Sequence, residues 1–92
     1  FARAARDLLV QIRATYPRAE ILWFYGLMAT KFIPVLKEVI CDLADTHTVF
    51  LEAPHIPAND PQRMGCNYHP TSFAHAEVAP VLVAELRKRL GW

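Results

Sequence analysis

The side chains of this sequence best suited to proton chemistry fall in one stretch, since His55, Asp60, Cys66 and His69 all lie between Ala53 and Pro70. His69 stands out because it ends the run Gly65-Cys66-Asn67-Tyr68-His69-Pro70. Imidazole side chains accept and return protons near neutral pH, which is what a general base and acid must do. Gly65 permits tight backbone in the run, and Pro70 fixes its exit and biases His69 toward an extended conformation. Other chemistry could use the same residues. A Cys66 thiolate activated by His69 would need an oxyanion site and positive surroundings, and the sequence supplies neither. Cys66, His69 and His75 have ligand-like spacing, but structural zinc sites usually take four ligands and catalytic sites three with supporting groups, so no metal is assigned. No cofactor is assigned either. Ser72 reads as part of a helix cap rather than a nucleophile, and His75 as a packed or hydrogen-bonded helix residue. His47 and His55 read as surface or loop positions, and Cys41 as a small buried or boundary residue.

These residues need a scaffold, and the hydrophobic pattern supplies one. From Ala4 to Tyr16, Ala5, Leu8, Leu9, Ile12 and Tyr16 recur at helical spacing, with Arg3, Arg6, Asp7, Gln11 and Arg13 on the other side. Pro17 ends that helix. Ile21-Leu22-Trp23-Phe24-Tyr25 is an unbroken run of branched and aromatic residues stopping at Gly26, the signature of a buried parallel strand. This also accounts for the aromatic run without a carbohydrate platform. A helix follows, capped by Thr30, with Pro34 in its first turn and Phe32, Val35, Leu36, Val39, Ile40 and Leu43 inward. Lys31, Lys37, Glu38 and Asp42 face water. Thr48 to Leu51 is a second strand, so the order is that of a right-handed parallel crossover. Ala53 to Pro70, rich in Pro, Gly, Asn and Asp, is a long loop. Thr71 or Ser72 caps a last helix with Val78, Leu82, Leu86 and Leu90 inward, Arg87 to Arg89 near its end and Gly91 just past it. Pro80 is expected to kink or restart it. The ligand crevice of such sheets lies beyond the carboxyl ends of the strands, and here Gly26 to Thr30 and the long loop leave those ends.

Composition narrows the partners. The 92 residues are 53% hydrophobic and 21% charged, a globular composition, and a formal charge of +1 gives no phosphate-neutralising surface, so no nucleic-acid partner is expected. The apolar run of β-type residues at Ile21 to Tyr25 is about a quarter of the roughly 20 residues that cross a bilayer, so no membrane span is expected. Two cysteines are too few for a disulfide framework.

The block Gly65-Cys66-Asn67-Tyr68-His69-Pro70, followed by Thr71-Ser72-Phe73-Ala74-His75, resembles the last motif block of SGNH (GDSL-type) hydrolases, especially the carbohydrate-esterase-family-2-like branch with its Gly-x-Asp-Trp-His-Pro pattern and a second His six residues on. Leu8-Leu9 through Ile12-Arg13 and Tyr16 to Leu22 are similar to the helix and strand after that family's third block. The resemblance covers essentially the whole chain. It implies an ester hydrolase, acting on a small ester or O-acetylated carbohydrate, in which His69 takes the proton of a serine nucleophile and returns it to the leaving alcohol. It implies a three-layer α/β/α sandwich of flavodoxin-like topology, of which residues 1–92 form the C-terminal part. The family's Gly-Asp-Ser block, oxyanion-hole glycine and Asn block would precede Phe1, leaving the N-terminal strands missing and this chain inactive alone. A start at Phe1 rather than Met points to processing or truncation. The family's acidic residue would stand at 66 or 67, where this sequence has Cys66 and Asn67. A serine–histidine dyad oriented by a backbone carbonyl is known in that branch, so the carbonyl of Cys66 is the candidate orienting group. Tyr68, at the branch's Trp position, is the candidate to line the acyl or sugar pocket.

Two strands leave both sheet edges uncovered. The expectation is a missing N-terminal half, a second chain, or a homo-oligomer formed through the open edge. The competing reading is a non-catalytic α/β interaction domain completed by a partner or by self-association.

Overall fold

The computed structural model describes all 92 residues, Phe1–Trp92. Its elements are α1 (Ala2–Thr15), β1 (Ile21–Tyr25), α2 (Ile33–Leu43), β2 (Thr48–Glu52), a single tight turn at Cys66–Tyr68, and α3 (Ser72–Leu90). β1 and β2 pair in parallel in one two-stranded sheet, with Ile21 opposite Thr48, Trp23 opposite Phe50 and Tyr25 opposite Glu52. The chain is thus α/β with a parallel crossover through α2.

Alternation along β1 sorts its residues onto two faces. Ile21, Trp23 and Tyr25 pack with Phe50 against a core of Ala5 and Leu9 from α1 and Leu36 and Val39 from α2. Leu36 is wholly buried. Phe24 instead borders an apolar cavity of about 660 Å³, whose far wall is Val78, Ala79 and Leu82 of α3.

Several sequence expectations change here for physical reasons. Leu8 and Tyr16 are exposed, since only Ala5 and Leu9 of α1 are buried. Thr30 does not cap α2 with its side chain; its carbonyl accepts the Ile33 amide at 3.1 Å, and Phe32 occupies the N-cap. Starting at Ile33 turns that residue inward, and it is buried. Cys41 is exposed rather than buried or at a boundary, since the inward stripe passes through Val39 and Ile40. α3 keeps helical backbone through Pro80 and does not restart. Residues 75–77, 79 and 80 are exposed, so water can take the carbonyl bond that Pro80 cannot donate to. Val78 is buried, Leu82 and Leu86 are half-buried, and Leu90 is exposed. Thr71 caps the helix, its hydroxyl accepting the Ala74 amide at 3.3 Å, and Gly91 ends it at φ 69°.

Arg13 departs most from its expected solvent-facing place. Its guanidinium joins three turns, donating to Asp45 Oδ2 at 2.8 Å, to the carbonyl of Ala19 at 2.7 Å and to that of His47 at 3.3 Å. Asp45 also accepts the Thr48 hydroxyl at 2.6 Å and the His47 amide at 3.0 Å. The Thr48 hydroxyl, then the His47 amide and Arg13, hold the Asp45 carboxyl down at about 2. A depressed carboxyl pKa stabilises the fold above the unfolded value of 3.8 and ceases to do so as pH falls through about 2. Asp45→Asn is therefore expected to cost about 1 kcal/mol at pH 7, the shift being discounted for solvent screening of a partly exposed group. The difference should narrow between pH 4 and pH 2, roughly the interval between the two pKa values. Urea unfolding at several pH values checks this, and a cost independent of pH would contradict it.

Candidate active site

The loop after β2 leaves the carboxyl end of the sheet and is pinned there. Ala53 and Ile56 are buried, their amides bonded to the carbonyls of Tyr25 and Leu27 at 2.8 and 3.1 Å. His55, exposed, directs Nδ1 toward the Gly26 carbonyl at 3.4 Å. The chain then turns at Asp60, whose carboxylate accepts the amides of Gln62 and Arg63.

From Arg63 to Thr71 the backbone doubles back on itself. The Thr71 amide donates to the Arg63 carbonyl at 2.9 Å, Met64 and Pro70 form an antiparallel bridge, and the Gly65 amide donates to the His69 carbonyl at 2.8 Å. His69 thus stands at the end of a short loop with clamped feet. It is extended (φ −94°, ψ 143°), as a residue before proline prefers. The left-handed positions of this loop are Asn67 (φ 54°) and Tyr68 (φ 58°), whereas Gly65 has φ −99°. The tight backbone assigned to Gly65 is therefore carried by two residues with side chains. Asn tolerates this conformation; for Tyr it is costly, by roughly 1–2 kcal/mol.

The His69 ring places Nδ1 3.3 Å from the Cys66 carbonyl oxygen, and the His69 amide donates to the same oxygen at 3.1 Å. An oxygen acceptor requires Nδ1 to carry the proton, which leaves the lone pair on Nε2. Chemically, such a ring can accept a proton at Nε2 while the carbonyl keeps its orientation. His69, Cys66 and Tyr68 are all exposed, Tyr68 by 70%. None of the three borders the apolar cavity, which His75 does. His75 is exposed, not packed in the helix, and no side-chain hydrogen bond holds it. No three His, Cys, Asp or Glu side chains converge.

One constellation escaped the sequence reading. Arg63 forks onto Glu77 of α3, with Nε donating to Oε2 at 2.6 Å and a terminal nitrogen to Oε1 at 2.8 Å. Its other terminal nitrogen donates to Asp60 Oδ2 at 2.8 Å, and the guanidinium lies 5.2 Å from the ring centre of Phe73. Arg63 lowers the carboxyl pKa of both Asp60 and Glu77, chiefly through these hydrogen bonds. Pairs fourteen residues apart carry no periodic signal that a sequence could show.

Comparison with known proteins agrees with this architecture. No protein-family model matches the chain. It is 29% identical over 102 aligned residues to the cellulase/esterase CelE of Acetivibrio thermocellus, with all of this chain matched to 12% of that protein. Among solved structures it is similar to an acetyl xylan esterase from the rumen bacterium Butyrivibrio proteoclasticus, at 28% identity and a TM-score of 0.86, covering 99% of this chain and 25% of that one. A family two carbohydrate esterase from Clostridium thermocellum, solved in complex with cellohexaose, gives 28% identity and a TM-score of 0.89 over 100% of this chain and 30% of its own. The chain therefore spans under a third of each of these relatives. All three are named as esterases, which does not favour a non-catalytic interaction domain. In sequence and in fold alike, the chain matches a segment of the family two carbohydrate esterases.

Proposed function

We propose that this chain forms the base-bearing, C-terminal part of an SGNH-type hydrolase that removes acetyl groups from carbohydrate or another small alcohol. The observation that carries the reading is the His69 ring, held through Nδ1 by the Cys66 carbonyl with Nε2 unengaged, in a chain whose relatives are named as esterases. In the proposed reaction a serine upstream of Phe1 attacks the ester carbonyl while Nε2 of His69 takes its proton. The tetrahedral adduct collapses, the alkoxide leaves with that proton as alcohol, and an acyl-serine remains. Water then repeats the sequence, giving the carboxylic acid and free serine. The Cys66 carbonyl orients the imidazole and stabilises its protonated form, the part an acidic side chain plays in a triad. Tyr68, exposed beside the base, lines the acyl or sugar pocket once the rest of the fold encloses it. The open edges of the two-stranded sheet and the apolar cavity beside Phe24 fit a chain completed by further strands.

Hydrolysis of p-nitrophenyl acetate tests the reading. The natural protein carrying this chain is expected to turn over the ester, and residues 1–92 alone to do no better than a heat-denatured control. Turnover by residues 1–92 that is lost in Ser72→Ala would overturn the assignment of the nucleophile upstream.

A further inference from the structure

We infer that Arg63 is a positioning residue for His69, acting through the clamp that ties the His69 loop to α3. This rests on the reading of His69 as the base. The loop from Gly65 to His69 contains two left-handed residues with side chains, so its conformation must be imposed from its feet. One foot is Arg63-Met64-Gly65 and the other His69-Pro70-Thr71, paired by the backbone bonds already described. Thr71 continues directly into α3, and its hydroxyl donates at 2.7 Å to the carbonyl of Gln62, the residue before the first foot. What fixes the first foot to the helix by side chains is Arg63, forked onto Glu77 in the second turn and lying over Phe73 in the first. Asp60 holds the same guanidinium from the opposite side. The fork is planar and bidentate, so it restricts rotation as well as distance. The His69 ring has one hydrogen bond, to the Cys66 carbonyl, and that carbonyl lies inside the loop the clamp holds.

Exposed ion pairs contribute little to global stability, and the Arg63 and Glu77 side chains are 34% and 43% exposed. Positioning and stability therefore separate in experiment. In the natural full-length protein, Arg63→Met and Glu77→Gln are each expected to lower kcat for p-nitrophenyl acetate by about 10- to 100-fold, as for a catalytic group displaced by about an ångström. KM should change less than about threefold, and the melting curve should stay near that of the unsubstituted protein. The double variant should be no worse than either single one, because the two side chains act as a unit. Arg63→Lys should recover only part of the loss, since an ammonium cannot form the fork. The decisive readout is the ¹⁵N spectrum of the His69 ring. The unsubstituted protein should show the Nδ1–H tautomer, and Arg63→Met and Glu77→Gln a mixture of both. An unchanged tautomer in both variants overturns the inference, whether or not the protein hydrolyses esters. Absence of hydrolysis by the unsubstituted protein sinks the ester reading alone, and the ring spectra still decide the role of Arg63.

Discussion

Replacing His69 by alanine is expected to lower kcat of the natural protein toward p-nitrophenyl acetate by about 10²- to 10⁴-fold, the usual contribution of a positioned general base. That corresponds to roughly 3–5 kcal/mol of lost transition-state stabilisation. Little stability should go with it. His69 is exposed and its ring makes one long hydrogen bond, so removing the ring should change unfolding by no more than about 0.5 kcal/mol. KM should hold, because in the proposed mechanism the base acts on the serine proton rather than on the bound ester. Near-normal activity in a folded His69→Ala protein would remove His69 from the mechanism. A loss of activity that tracks a loss of folding would make it structural.

The second large effect is expected at the strand end that opens toward the site. Gly26 has φ 127°, a region closed to residues with a Cβ, and a Cβ built there would lie 3.2 Å from the Ala53 carbonyl and 3.3 Å from Ile33 Cδ1. Both neighbours are buried, and the Ala53 amide donates a hydrogen bond to the Tyr25 carbonyl, so neither yields easily. Backbone strain and overpacking each cost about 1–3 kcal/mol, and Gly26→Ala should destabilise the protein by on the order of 3 kcal/mol. Gly65→Ala is the control. Its Cβ would meet nothing closer than 3.5 Å and its φ is negative, so the change should cost far less. Urea midpoints of the two variants check the contrast, and equal midpoints would contradict it.

The two glycines also mark where the sequence was legible. Gly26 ends β1 where the apolar run stops, and β1 spans Ile21–Tyr25 as its branched and aromatic residues require. The inward stripe of α2 was equally plain, because packing against a sheet enforces helical periodicity. Gly65 permits a tight backbone in the run without demanding a left-handed one, and Asn67 and Tyr68 take the left-handed positions under tertiary constraint. At Pro80 the helix continues without restarting. The proline's penalty depends on whether the orphaned carbonyl can reach water, which the sequence does not record.

At the candidate site the local motif carried His69, Cys66 and Tyr68, which lie within four residues of one another. The groups that hold the motif in place were not legible. Arg13, placed on the polar side of its helix, joins three turns of the scaffold, and Arg63, which carries no signal in the sequence, joins the loop to α3. Their partners, Asp45 and Glu77, lie 32 and 14 residues away. Only the folded chain brings them together.

Fluorophosphonate labelling of the natural full-length protein, with the modified residue located by tandem mass spectrometry, shows whether these residues are the base-bearing part of a serine esterase. The expected result is a label on a single serine upstream of Phe1, and its loss in the folded His69→Ala protein. Absence of label from the folded natural protein, or labelling that persists without His69, would contradict it.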